Sequence, residues 1–290
     1  RVTIKTPWDI TNEIMDGGLG EGELGVVVAP AGVGKTWLLQ SIAAGALKRG
    51  FTVVHYTLEL NETYVGLRYD TVFSGITTQN IKFQKDEVKK IIDSIEGKMI
   101  IKYYPTRAAT VNTLSAHLKQ LELKNIKPDM VIVDYADILR DNSGMREVRH
   151  QLGAVYEDLR GLAGEFKVPI WTASQANRSA LEEEVIEATK IAEAYSKIMI
   201  ADFVLSISRK AEDKLSHTAR CHIIKNRFGI DGITYPMSMN TNLGKIEIYE
   251  STTAPGKEQQ GKMDNSEEFK RKLLASKYND MKNSEVEGFE

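Results

Sequence analysis

The sequence has a single cysteine in 290 residues, Cys221, so no internal disulfide holds the chain together. Its five histidines are not clustered at zinc-ligand spacing, which removes a structural zinc site. No apolar run is long enough to span a bilayer and no signal-peptide pattern opens the chain, so neither membrane insertion nor export is expected. A reducing, cytoplasmic setting fits these absences. Charge of one sign is also missing: 38 Lys and Arg stand against 40 Asp and Glu, a formal net charge of -2. That balance gives no global attraction to nucleic acid or to a membrane, so any basic surface has to be local. Internal repeats are absent, and the length suits one large core with a tail.

What the chain does have is Ala29-Pro30-Ala31-Gly32-Val33-Gly34-Lys35-Thr36, set between an apolar run, Leu24 to Val28, and a helical pattern that begins at Trp37. The stretch reads as a phosphate-binding loop. Bare backbone N–H groups hold an anion, so Gly32 and Gly34 allow a tight path that side chains would obstruct. Lys35 would reach the outer phosphates and the Thr36 hydroxyl would bind Mg²⁺, while the helix opening there points its positive end at the phosphates. Ala29 stands where the pattern usually has its first glycine, and alanine is small enough to keep the path. A plain strand-to-helix turn would give no reason for Lys-Thr after the last glycine. A nucleotide site is therefore expected over Ala29 to Trp37.

Around this loop the chain divides into a leading segment or linker (1–20), a nucleotide-binding core (21–250), and a flexible linker with an amphipathic tail (251–290). It opens on Arg1 and not methionine, as a piece of something longer would. Leu38, Leu39, Ile42, Ala43, Ala46 and Leu47 recur at helical spacing, and Phe51 to Leu58 then reads as a buried strand. Strand, loop, helix and strand make a βαβ unit, whose ligand lies at the carboxyl ends of its strands. Glu59 stands at such an end. Asn61 can cap a helix to about Phe73, Lys85 to Ile95 is a second helical pattern, Met99 to Tyr104 a strand, and Val111 to Leu123 a helix. Met130 to Asp134 is an apolar run ending in a carboxylate, the pattern of a central parallel strand. A strand-end Asp in a P-loop protein holds Mg²⁺, usually through water, while the threonine supplies the other protein oxygen.

A polar loop, Asp141 to Gly144, leads into a long helix ending at Phe166, and Val168 to Ser174 is the next strand, with Gln175 at an exit where polar residues can sense a γ-phosphate. Ser179 to Lys197 reads as helix or loop, with a solvated acidic run at Glu182 to Glu184. Asp202 to Ser208, Ala219 to Lys225, Ile233 to Met239 and Lys245 to Tyr249 are successive strands. The fold class is α/β, a P-loop core with a mostly parallel twisted sheet flanked by helices and antiparallel strands at the C-terminal side. In the tail, Ser266 can cap a helix with Phe269, Leu273, Leu274, Tyr278 and Met281 as an apolar stripe suited to a partner's groove or to the chain's own core.

The ordered set APAGVGKT, YTLEL, MVIVDYADIL, VPIWTASQANR and HIIKNRFG resembles the RecA-like motor domain of DnaB-family replicative helicases, over about Gly17 to Tyr249. It looks closest to the T-even phage type, to which KYYPTRAATVNTL is also similar. A phosphate loop alone is shared by many NTPases. The glutamate after the second strand, the Asp-Tyr pair, the Ser-Gln exit and the Lys-x-Arg-x-Gly strand end make the resemblance specific.

The resemblance implies an ATP-dependent DNA helicase that hydrolyses ATP with Mg²⁺ at the subunit interfaces of a hexameric ring and moves 5′ to 3′ on single-stranded DNA. It gives Glu59 the place of the glutamate that polarises the attacking water, Asp134 that of the Mg²⁺-associated aspartate, and Gln175 that of the γ-phosphate sensor. Lys225 and Arg227 match the sensor and arginine finger that reach a neighbouring subunit's nucleotide. The loop from Gly144 to Glu147 matches one lining the central channel, where Arg146 and Arg149 would meet DNA phosphates. The cytoplasm of a bacterium or a phage-infected host is implied, and a primase, helicase loader or single-strand-binding protein is the expected partner of the tail. Two places depart from the family: Ala29, and the acidic run after Arg178, where a second channel loop would fall. The family's amino-terminal domain has no counterpart here. A recombinase-type filament and a nucleotide-dependent loader or assembly switch are the alternatives that such a core could serve.

Overall fold

Two short strands, β1 (Thr3–Ile4) and β2 (Leu19–Gly20), pair antiparallel around a loop that contains helix α1 (Asp9–Ile14). The computed structural model describes residues 1–144, 148–187 and 195–250. After β2 the chain runs β3 (Leu24–Ala29), α2 (Lys35–Lys48), β4 (Thr52–Thr57), α3 (Glu62–Ser74), α4 (Lys85–Asp93), β5 (Lys98–Tyr103), α5 (Val111–Leu123), β6 (Met130–Asp134), α6 (Val148–Phe166) and β7 (Ile170–Gln175). It closes with α7 (Tyr195–Ile200), β8 (Phe203–Ser208), α8 (Ala211–Leu215), β9 (Thr218–Asn226), β10 (Thr234–Asn240) and β11 (Lys245–Ile248).

Nine of these strands form one sheet in the order β11-β10-β9-β8-β3-β7-β6-β4-β5. From β8 to β5 all neighbours are parallel; β9, β10 and β11 continue the sheet antiparallel. Side-chain chemistry explains the division. Every residue of β3, β6 and β8 is buried, as strands covered on both faces require. In β10 and β11 burial alternates, with Tyr235, Met237, Met239, Ile246 and Ile248 inside, so only one face is covered. The two faces build two cores. Leu38, Leu39 and Ile42 of α2 pack with Val27, Val53 and Ile132 on one side; Leu114 and Leu118 of α5 and Tyr156 and Leu159 of α6 pack with Val26, Val54 and Val131 on the other.

This is the α/β, mostly parallel sheet expected from the apolar runs, with antiparallel strands at the C-terminal side. Asn61 caps α3 as its position suggests, its Oδ1 accepting from the Tyr64 N–H at 2.9 Å. Residues 1–20, read as a leading segment or linker, contribute Trp8, Met15 and Leu19 to the core beside α2. The Trp8 indole N–H donates to the Ile246 carbonyl at 2.8 Å, and Asn226 Nδ2 donates to the Ile14 carbonyl at 2.7 Å, so this segment is tied to both ends of the antiparallel ribbon. The Arg1 guanidinium lies 3.8 Å from the Phe228 ring centre. Helix α8 and the short 3₁₀ turn at Ala136–Ile138 were not expected; each is too short for an apolar period to show. The stretch from Ser179 to Lys197 holds a short turn, Arg178–Leu181, and the start of α7; positions 188–194 lie outside the described residues. The acidic run leaves Glu182 and Glu184 exposed, consistent with a solvated face. The tail, with its expected stripe, lies wholly outside the described residues.

Because Trp8 is 3% exposed and both packed and hydrogen-bonded, Trp8→Ala should cost about 3–5 kcal/mol in urea unfolding. A loss below about 1 kcal/mol would mean that residues 1–20 add nothing to the core.

Candidate nucleotide site

The loop between β3 and α2 has Gly32 at φ 73° and Gly34 at φ 125°, backbone states that side-chain-bearing residues rarely adopt. At Gly34 the space a Cβ would take is filled by the Met239 methyl of β10, 2.4 Å away. The glycine thus lets the β10–β11 turn close over the loop. Lys35 and Thr36 open α2, and Lys35 is only 8% exposed although charged. Burial lowers the Lys35 pKa, and the nearby carboxylates of Asp134, Glu59 and Asp137 oppose that shift. Its ammonium lies 5.2 Å from the Tyr135 ring centre.

Parallel register brings the other groups to the same edge. Thr57 pairs with Asp134, and Ala29 pairs with Gln175, so the ends of β4, β6, β3 and β7 lie side by side. Asp134 is 3% exposed, and the Thr36 side chain hydrogen-bonds to it. Its Oδ1 is buried with no hydrogen-bond partner among the described residues. Glu59, just past β4, and Gln175, at the end of β7, are exposed. The Tyr135 hydroxyl donates to Gln175 Oε1 at 3.2 Å, and the Gln175 N–H donates to Asp137 Oδ2 at 2.9 Å. Together with Ala31, Trp37 and Leu60, the groups Gly32, Gly34, Lys35, Thr36, Glu59 and Gln175 line a cleft of about 410 Å³. Among the described residues no cluster of three or more His, Cys, Asp and Glu side chains could hold a metal. A divalent cation here would rest on the free Oδ1 of Asp134 and the Thr36 hydroxyl, a donor pair that suits Mg²⁺ with water and phosphate completing the shell.

Lys225 and Arg227 do not join this cleft. They lie at the end of β9, which runs antiparallel: Asn226 pairs with Phe203, and Phe203 pairs with Gly25 at the start of β3. They stand at the opposite edge of the sheet from their own phosphate loop, on the order of 15 Å away at about 3.3 Å per residue. Lys225 Nζ donates to the Met199 carbonyl. Arg227 Nη1 donates to Asp202 Oδ1 at 2.7 Å, and its side chain is 49% exposed. Gly144 is exposed with φ 69°. Arg146 and Glu147 lie outside the described residues; Arg149 lies in the first turn of α6, its side chain likewise outside them.

The model of the DnaB-like helicase C-terminal domain matches residues 4–246. The chain belongs to that family. It is 30% identical over 237 residues to the DnaB-like replicative helicase of Enterobacteria phage T4, covering 76% of this chain and 49% of the phage protein. It is 23% identical over 168 residues to the replicative DNA helicase DnaB of Helicobacter pylori, covering 56% and 34%. The chain thus spans half or less of the length of these relatives. In fold it is similar to an ATPase domain (TM-score 0.73, 18% identity, 86% of this chain and 92% of that one). A DnaB-like replicative helicase, the subject of a structure with its interactions with primase, has TM-score 0.72 and 18% identity, over 85% and 61%. A KaiC-like protein of Pyrococcus horikoshii has TM-score 0.58 and 19% identity, over 86% and 99%.

In this DnaB-like domain the cleft has members that sequence reasoning passed over. Arg68 of α3 lines it, its guanidinium 5.0 Å from the Trp37 ring centre and close enough to Asp134 and Glu59 for their charges to act on it. Its position seven after the Asn61 cap puts it on the face of the helix that begins beside Glu59, a spacing that could have pointed to it. Arg209, Lys214, His217, Thr241 and Asn242 form the outer wall. Buried Arg209 donates to the carbonyls of Thr218 at 3.2 Å and Met239 at 2.7 Å, fixing β9 and β10 over the loop. No motif signals these residues, because only the folding back of α8 and the antiparallel ribbon brings them here. Among the described residues no helix is long and apolar enough to cross a membrane.

Burial is the main cause that raises Asp134 from 3.8 to about 6; the Thr36 hydrogen bond, Lys35 and Arg68 oppose it, while Glu59 adds to it. A carboxyl that binds its proton more tightly folded than unfolded contributes stability below about pH 4, and this is lost as pH rises through about 6. That shift corresponds to about 3 kcal/mol at most. Without nucleotide or divalent cation, Asp134→Asn should therefore be more stable than wild type at pH 7 and less so by pH 4, as thermal or urea unfolding across pH reads out. A wild-type advantage at pH 7 under these conditions would contradict a buried, uncompensated carboxylate.

Proposed function

We propose that this chain is the motor of a replicative DNA helicase, which binds ATP with Mg²⁺ and uses its hydrolysis to move along single-stranded DNA. The observation that carries the reading is the division of the sheet into two chemical edges. The phosphate loop, Glu59, Asp134 and Gln175 share one edge, while Lys225 and Arg227 lie at the other. Phosphoryl transfer needs positioning, neutralisation of charge and an oriented nucleophile, with little covalent chemistry from the protein. Lys35 and the loop's N–H groups hold the outer phosphates. Glu59, exposed in the cleft, orients and polarises the attacking water, and Arg68 lines the same cleft. Gln175 contacts the γ-phosphate. Thr36 and Asp134 would hold Mg²⁺, which would supply charge neutralisation when bound.

An arginine brought to the transferring phosphoryl group contributes roughly 10³ to 10⁵ in rate. Arg227 cannot reach its own loop across the sheet, so a second copy has to present it, with Lys225, to the neighbour's nucleotide. The Asp202 carboxylate that it pairs with is 2% exposed and also accepts from Arg160 at 3.0 Å, so Asp202 keeps a cationic partner when Arg227 turns to a phosphate. A ring, hexameric as in the resemblance, meets this demand, and Gly144, Arg146 and Glu147, with Arg149 at the start of α6, would then meet single-stranded DNA. Direction, 5′ to 3′, follows the family resemblance, and a primase is the favoured partner because a similar structure describes a helicase's interactions with primase. A loader or single-strand-binding protein on the tail completes the proposed partners.

Mixing Arg227→Ala, whose phosphate loop is intact, with Lys35→Ala, whose arginine is intact, should restore part of the ATPase activity that each lacks alone. No recovery in assemblies shown to be mixed would overturn the reading of Arg227 as a residue acting on a neighbour.

A further inference from the structure

Asp137 sits on the turn just past β6, and its two carboxylate oxygens gather four donors from three elements. Oδ1 accepts from the Lys197 ammonium of α7 at 2.8 Å and from the Tyr156 hydroxyl of α6 at 2.8 Å. Oδ2 accepts from the Gln175 N–H at 2.9 Å and from the Ser174 hydroxyl at 3.3 Å, both at the end of β7. The side chains of Lys197 and Asp137 are 5% and 14% exposed, and the ammonium lies 5.7 Å from the Tyr156 ring centre. Helix α7 packs on α6, whose first residue, Val148, comes four positions after Gly144. A single carboxylate therefore ties the backbone of the residue read as γ-phosphate sensor to the helix behind the proposed DNA loop and to that helix's neighbour.

We infer that Asp137 is a positioning residue that couples Gln175 to α6 and α7, so that nucleotide state and DNA affinity change together. This rests on the reading of the chain as a DNA motor. The reason is the cost of leaving a buried charge alone. If α7 shifted without β7, Lys197 and Asp137 would part in a site too dry to solvate either, so the two elements move as one. Tyr135 grips the Gln175 side chain at Oε1 while Asp137 holds its N–H, which leaves the residue little freedom to respond alone. An ion pair that merely braced the fold would alter stability and leave the linkage between the two ligands intact.

Linkage is reciprocal, so either ligand reports it. The test measures binding of a fluorescent single-stranded oligonucleotide to the full chain, with and without a non-hydrolysable ATP analogue and Mg²⁺. The wild-type ratio of affinities should lie in the range of about 5-fold to 150-fold. Lys197→Met should bring it within about twofold of one while affinity for the analogue holds, and Lys197→Arg should restore most of it. Where Lys197→Met fails to fold, the double variant Asp137→Asn, Lys197→Met removes both charges together and should give the same collapse of the ratio. Folded variants that keep the wild-type ratio overturn the inference and leave the motor reading standing. A wild-type ratio of one overturns both.

Discussion

The carboxylate of Asp134, buried at the end of a central strand, is the constraint around which the rest of the site is arranged. Burial alone would drive it towards the neutral acid, and its pKa rises to about 6 even with the Thr36 hydroxyl, Lys35 and Arg68 opposing the shift. Lys35 is caught in the complementary position, a buried ammonium held charged by the acids around it. Neither group is comfortable without the other, and Oδ1 of Asp134 still has no partner among the described residues. Fixed dipoles and charges kept out of water act strongly on whatever enters such a cleft. Gly34 matters for the same reason, since it lets Met239 and the β10–β11 turn shut one side of the cleft.

Sheet direction carries this local arrangement to the scale of an assembly. Parallel strands put their carboxyl ends, with Glu59, Asp134 and Gln175, on one edge; the antiparallel turn into β9 sends Lys225 and Arg227 to the other. A chain with its reactive anion site on one edge and an exposed arginine on the opposite edge is suited to head-to-tail association, in which one surface meets a different surface of the next copy. In the proposed assembly nucleotide would lie where two copies meet, which would make binding it and assembling linked equilibria.

Much of this was legible in the residues. Strands β3 and β6 are buried on both faces and so appear as apolar runs, β6 ending in Asp134, and the glycines with Lys-Thr mark the phosphate loop by themselves. Asp134 and Glu59 were legible as strand ends beside that loop. Other features were not. The roles of Lys225 and Arg227 came only from the family resemblance, because no local pattern says that a strand end will face another copy. Arg209, His217 and Asn242 reach the cleft through the fold-back of a ribbon, which is tertiary information. Residues 1–20 read as a leading segment or linker because Trp8, Met15 and Leu19 follow neither a helical nor a strand period, yet they are buried in the core shared with α2, and Trp8 bonds to Ile246 of β11. Asp137 was not singled out in the sequence, because its four donors come from residues 19 to 60 positions away.

The most direct measurement is ATP turnover with and without single-stranded DNA, read alongside particle mass in the presence of a non-hydrolysable ATP analogue. A ring motor predicts that the analogue drives assembly to a multi-subunit particle and that DNA raises turnover only where that particle forms. Turnover that is indifferent to DNA, or equally fast in a chain that stays monomeric, would contradict it.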